Sequence, residues 1–427
     1  MTAGLLIITA FTAAFCMLAK RMSRTMITAP MIFLALGWVL SETGLFPQAE
    51  MRETLHLVAE VALIVVLFLD AAQIDLRVLR VRHVWPVRML AIGLPLMIVI
   101  GTLAAFPFLP PWPLAAVALV AAILAPTDAA LGQVVVTNPI VPVRVRRALT
   151  VESGLNDGLA LPAILLFASI AAEAIDAGQT NWFLFGAKQL VLGPLIGIVF
   201  GSVGGRVLLF AKDRNLTSNS FEGVGALALA GAAYLGATEI GGNGFIAAFV
   251  AGLFFGNVVK GRCAFIYEFT ESEGQLLTWA AFLLLGLVLV PDAITHLTLD
   301  SLAIILLSLF VVRPLAIWLS LIGTDASSTT RLFFGWFGPR GLATALFSLL
   351  IVEQIAPEIG DQILGLAVNA VWISAVLHGL SAAPAARWYG ARMAKMDSRP
   401  EMMAIHASAK PLATRWNDGS ESESERR

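Results

Sequence analysis

The chain has 427 residues, of which 58% are hydrophobic and only 13% charged. A water-soluble domain carries about 25% charged residues to cover its surface, so this composition excludes a large soluble protein and predicts a polytopic helical membrane protein. Segments of about ten alternating residues, the mark of a transmembrane barrel, are absent, and a formal net charge of −1 carries no signal for nucleic acid.

Cutting at charged or Pro/Gly-rich breaks predicts thirteen spans, near 3–19, 27–46, 55–74, 86–108, 112–136, 147–171, 182–208, 220–238, 241–259, 275–291, 297–320, 331–352 and 362–384. Most have the length that crosses about 30 Å of hydrocarbon. The first lacks a basic segment before it and reads as a retained helix rather than a signal peptide. Cys16 in that span and Cys263 in a loop suggest neither a disulfide framework nor a metal cluster.

Successive loops alternate in charge. One side holds Lys20, Arg21 and Arg24, then Arg77, Arg80, Arg82 and Arg88, then Arg144, Arg146 and Arg147, then Lys212 and Arg214, then Lys260 and Arg262, and finally Arg387, Arg392 and Lys395. The other holds Glu42, Glu50 and Glu53, then Glu173 and Asp176, then Glu239, then Asp292, then Glu358 and Asp361. Basic loops stay in the cytoplasm, which predicts an outside N-terminus, a cytoplasmic C-terminus and residence in the cell (inner) membrane. The membrane domain is expected over 1–392, and the polar stretch 393–427 reads as a short, disordered cytoplasmic tail.

The third span ends at Asp70, which reads equally as a funnel acid at a cytoplasmic mouth or as the charged end of a helix. Glu60, higher in that span, could face water or another helix. Pro126-Thr127-Asp128 interrupts the fifth span and Gly338-Pro339-Arg340-Gly341 the twelfth. Proline removes a donor and clashes with the preceding turn, so both helices are expected to break. Breaks in corresponding places point to inverted repeats around a midplane site. Spans 1–6 and 8–13 are expected to form the two six-helix repeats, with the breaks in their fifth members.

The sixth span carries Glu152, Ser153, Asn156 and Asp157 within two turns. An acid at this depth is by default an ion or proton site with a partner. Asp157, Asp128, the hydroxyls of Ser153 and Thr127, and carbonyls freed at the break could replace the water of a small cation. Arg340 cannot discard its charge, and Glu152 is its expected partner in a structural bridge that leaves Asp157 free. Arg313 could find an acid or helix-end carbonyls, or snorkel to the interface. His378 in the last span reads as a satisfied core histidine before a proton-path residue. The small residues at four-residue spacing in 236–256 read as close helix packing.

APTDAALG at 125–132, ESGLNDG at 152–158 and FFGWFGPRGLA at 333–343 resemble the motifs of the monovalent cation/proton antiporter family, in its electroneutral Na+/H+ exchanger branch. The resemblance covers about residues 1–390. It implies that Asn156 and Asp157 form the pair typical of electroneutral exchange, and that Thr127, Asp128, Glu152, Ser153 and Arg340 take the family's matching positions. FLDAAQID resembles a further family motif and carries over Asp70, with Ala71 in place of the usual glycine; Ala129 stands where a second proline is common. The resemblance also implies a homodimer whose core domain moves against a dimerisation domain.

The expected function is therefore alternating-access exchange of a monovalent cation for H+, with Na+ first and K+ or Li+ as alternatives, serving pH and cation homeostasis. The competing reading is a cation channel or ion sensor on the same fold. An enzyme is not expected, since no metalloprotease, nucleophile-elbow or phosphate-loop motif is present, and no cofactor is implied beyond the transported cation and proton. The expected partners are those substrates, the lipid bilayer and a second copy of the chain.

Overall fold

The computed structural model describes residues 2–22, 27–76, 84–175, 182–260, 262–263, 273–352, 355–394 and 401. These residues are all-α. In chain order the helices are α1 (Thr2–Met22), α2 (Ala29–Ser41), α3 (Gln48–Ala72), α4 (Val84–Phe108), α5 (Leu114–Ile123), α6 (Ala129–Val136), α7 (Val143–Ile175) and α8 (Trp182–Asp213). They continue with α9 (Asn219–Glu239), α10 (Gly244–Val259), α11 (Glu273–Val288), α12 (Val290–Thr295), α13 (Leu299–Ser320), α14 (Ser328–Trp336), α15 (Leu342–Val352) and α16 (Pro357–Ala394).

Among the described residues eight helices are long and apolar enough to cross a membrane by length and composition alone. Every predicted span falls on a helix or on a pair of short helices in line. The fifth and twelfth fall on the pairs α5/α6 and α14/α15, interrupted at Pro126 and Pro339. The loop at 77–83 and the tail outside Glu401 lie outside the described residues. Part of the predicted charge alternation (Arg24, Arg77, Arg80, Arg82, Asp176 and Lys395) and the predicted disorder of 393–427 rest there. Glu401 itself is buried, and its Oε1 accepts from the Ser327 amide at 3.0 Å and the Thr330 hydroxyl at 2.7 Å, capping the start of α14.

Backbone-to-backbone contact holds α3 against α10. A methyl group on Gly252 or Gly256 would collide with the carbonyl oxygens of Phe68 and Ala72 respectively. Without a hydrophobic driving force between helices in lipid, such small-residue contacts supply the packing, as the sequence of 236–256 led us to expect. The contact fixes the end of α3 that carries Asp70.

Two features were not legible in the sequence. α4 and α13 each contain one π-helical turn, at Met89–Gly93 and Ser308–Val312. Each leads directly into a residue followed by proline: Leu94-Pro95 in one helix and Arg313-Pro314 in the other. A π turn inserts a residue and rotates everything beyond it on the helix surface, and such turns are frequent at functional sites. The two helices pack together, beside the broken pairs.

Candidate functional site

The two breaks cross, and they do so through explicit hydrogen bonds. The Asp128 amide donates to Pro339 O at 2.9 Å. The Asp128 carboxylate accepts from the Leu342 amide at 3.0 Å and from the Leu131 amide at 3.4 Å. One side chain thus stands at the N-termini of both α6 and α15, where unsatisfied N–H groups and the helix dipole favour an anion. The close fit requires Gly341, because a methyl group there would occupy the position of the Asp128 carboxylate.

The opposite helix ends receive the arginines. Arg340 Nη1 donates to Ala125 O at 2.9 Å and Pro126 O at 3.2 Å, at the C-terminal end of α5, and its Nη2 donates to Ser308 Oγ at 3.1 Å. Arg313 Nη2 donates to Phe337 O at 3.2 Å and Phe334 O at 3.4 Å, at the C-terminal end of α14. Carbonyls freed by a broken helix are expensive in hydrocarbon, and a cation there complements the dipole.

Glu152 pairs with Arg313, not with Arg340 as the sequence had suggested. Arg313 Nη1 meets Glu152 Oε1 at 3.0 Å and Nη2 meets Oε2 at 3.2 Å, a two-point bridge between side chains that are both about 1% exposed. The reason is the π turn, which ends immediately before Arg313 and turns its side chain toward α7 and away from the interface, so it does not snorkel. Arg340, held in the break itself, finds its acceptors in the carbonyls of α5. Sequence spacing along regular helices contains neither fact.

A polar network runs from this ion pair to the first break. Asn156 Nδ2 donates to Thr127 Oγ1 and, at 3.4 Å, to Glu152 Oε1. Ser153 Oγ donates to Thr127 O at 2.7 Å, and Thr127 Oγ1 donates to Ser153 Oγ at 3.4 Å. Asn156 is completely buried, and among the described residues its Oδ1 has no hydrogen-bond partner. Thr127, Asp128, Glu152 and Ser153 also line a narrow cleft.

Asp157 stands apart from this network. It is 9% exposed, and among the described residues its Oδ1 has no hydrogen-bond partner. Asp128, Asp70 and Glu152 lie within electrostatic reach of it. Asp70 is half-buried on α3, and its Cβ would lie 3.8 Å from a methyl group placed on Gly154 of α7, so it borders the same region. Among the described residues no group of three or more acidic, His or Cys side chains converges closely enough to hold a metal ion. Of the four acids, Asp128 and Glu152 line the cleft, and Asp157 and Asp70 lie beside it.

His378 is a satisfied core residue, bonded to Trp336 O and to Ser374. Ser308 and Ser374, which touch Arg340 by side chain and by amide respectively, were missed in the sequence. Their signal was present: each is a hydroxyl in the middle of an apolar span, and Ser374 precedes His378 by four residues.

The sodium/hydrogen exchanger transmembrane family matches residues 7–388 of the chain. The K(+)/H(+) antiporter NhaP of Alkalimonas amylolytica is 30% identical over 295 residues, covering 68% of this chain and 50% of its own length. The K(+)/H(+) antiporter NhaP2 of Shewanella oneidensis is 31% identical over 413 residues, covering 93% of this chain and 68% of its own. The chain therefore spans only half to about two thirds of these curated relatives. The sodium proton antiporter MjNhaP1 from Methanocaldococcus jannaschii has the same fold, with a TM-score of 0.73 at 20% identity over 91% of this chain and 99% of that one.

Proposed function

The chain belongs to the sodium/hydrogen exchanger family of transmembrane proteins, and on that premise we propose that it exchanges one monovalent cation for one proton by alternating access. The observation that carries this reading is the uncommitted carboxylate of Asp157 beside a crossing whose other charges are matched. Arg313 balances Glu152. Arg340 and Asp128 occupy opposite helix ends of the same crossing. Asp157 is left to hold either a proton or a cation, and its charge is neutralised in both loaded states.

In this mechanism Thr127 and Ser153 supply oxygen ligands, and Asn156 holds Thr127 in place from the side of the Glu152–Arg313 pair. Asp128 contributes negative charge at the rim while joining the two half-helices. Asp70, on α3, attracts the cation toward the site without travelling with it. A proton on Asp157 and a cation beside it exclude each other, so each passage of the core carries one or the other.

Thirteen crossings in two inverted six-helix repeats fit this reading. With spans 1–6 matched to 8–13, the breaks pair as fifth with fifth, and the π turns of α4 and α13 pair as fourth with fourth. We place the membrane domain over 1–392 with a short cytoplasmic tail, the N-terminus outside, and the protein in the inner membrane as a homodimer. The charge alternation and the family likeness support these assignments.

Na+ is the first reading for the cation, and K+ is the second because curated relatives at 30–31% identity are named K(+)/H(+) antiporters. Both ions take oxygen ligands, and selection depends on fine placement. Reconstitution into proteoliposomes with Na+, K+ and Li+ in turn, reading internal pH with a dye, tests the proposal. Dequenching on addition of at least one cation is expected. Its absence with all three, at every pH between about 6 and 9 spanning the range where a buried carboxylate titrates, would defeat it.

A further inference from the structure

We propose that Ser374 and His378 are positioning residues for cation exchange: one turn of α16 that grips both sides of the second helix break and so sets the orientation of Asp128. This inference rests on the exchange reading above.

Residues 337–341 form no helical ladder, and their amides and carbonyls need partners at membrane depth. One such partner, and another for the last carbonyl of α14, come from side chains on α16. The Arg340 amide donates to Ser374 Oγ at 2.7 Å. Three residues before the proline, Trp336 O accepts from His378 Nε2 at 2.9 Å, and it also accepts the Gly338 amide at 2.9 Å. Ser374 and His378 are four residues apart, hence on one face of α16, and both are buried. The Trp336 ring lies over the His378 ring at 4.9 Å and 26°, and its Nε1 donates to Ser381 Oγ at 3.0 Å.

Ser374 and His378 also bond each other, with Ser374 Oγ and His378 Nδ1 at 3.0 Å. His378 Nδ1 also lies 2.9 Å from Ser374 O, and Nε2 lies 2.9 Å from Trp336 O, so a proton on Nε2 is accepted by the last carbonyl of α14. His378 is thus a strut between α16 and the end of α14. Arg340 and Arg313 are the charged groups that face it.

The strut acts on the site through the loop it holds. Pro339 O, between the two gripped positions, receives the Asp128 amide, and Leu342, just past them, donates to the Asp128 carboxylate. Arg340, gripped at its amide, reaches the end of α5 with its guanidinium. Rotation of the loop would move all three contacts together. At the first break the carbonyls are held by Arg340 and by Ser153 of α7.

The test measures apparent cation KM, maximal rate and pH profile for the full chain in proteoliposomes, comparing wild type with Ser374→Ala, His378→Leu and His378→Gln. Wild-type exchange, measured first, tests the exchange reading by itself. Ser374→Ala and His378→Leu are each expected to raise apparent KM roughly fivefold, the loss of about one hydrogen bond, with maximal rate little changed. His378→Gln, whose amide can still donate to Trp336 O, should keep a near wild-type KM and an unshifted pH profile. If His378→Leu fails to fold, Ser374→Ala decides. An unchanged KM in Ser374→Ala, or a pH profile of His378→Gln that loses a limb, would overturn the proposal; the latter would make His378 a proton carrier instead.

Discussion

In the proposed exchange Asp157 binds a proton in one half of the cycle and a cation in the other, which requires a carboxylate that the fold has not already engaged. Its neighbours are engaged: Asp128 by two helix N-termini, Glu152 by Arg313, Asn156 by Thr127. Asp157→Asn should therefore abolish exchange in a flux assay while leaving expression and thermal stability in detergent near wild type, because among the described residues no hydrogen bond depends on its Oδ1. Transport at near wild-type rate in that variant would remove Asp157 from the mechanism. The Glu152–Arg313 pair should behave in the opposite way. Glu152→Gln or Arg313→Gln alone should destabilise by roughly 3–5 kcal/mol, since each leaves an uncompensated buried charge. The double variant should recover part of that loss in a cycle read by thermal unfolding. Strictly additive losses would mean that the two residues are held by separate partners. At this scale the sequence revealed which residues are polar at depth but not who bonds whom. The partner of Glu152 depends on the π turn before Arg313, and an inserted turn changes side-chain direction without changing hydropathy.

Helix breaks are the elements most readable in the sequence, because proline at 126 and 339 leaves no regular ladder across either position. How the breaks meet was less readable: the crossing is made of backbone atoms, which every residue has. One side-chain cue does mark it, the glycine at 341. Gly341→Ala would push a methyl group into the space of the Asp128 carboxylate, so it should lower both exchange rate and thermal stability even though it adds only one carbon. A variant with wild-type transport and stability would show that Asp128 has room to move and does not join the two half-helices. The π turns of α4 and α13 remain the least predictable elements. Their only local trace is the proline two residues past each turn, and a proline near a helix bend has several other causes.

Across the whole molecule, the all-α multi-spanning fold and family membership were legible because both rest on long, redundant signals: apolar lengths and three motifs far apart in the chain. Stoichiometry rests instead on a count of charges at one point. With Glu152 matched to Arg313, and Arg340 to Asp128 across the crossing, the proposed cycle leaves Asp157 to carry the exchange, while Asp70 stays on α3 at its border. Moving one elementary charge through the membrane potential changes its free energy by about 2.3 kcal/mol per 100 mV, so a cycle that carries the same charge in both directions escapes that term. The direct test places the reconstituted protein between solutions whose cation and proton ratios are equal and reads net proton flux with a pH dye. One-for-one exchange through Asp157 predicts zero net flux under that condition, both without a voltage and with about 100 mV imposed in either direction. A null point that moves with voltage would contradict it, and would require a second proton- or cation-carrying group in the moving core.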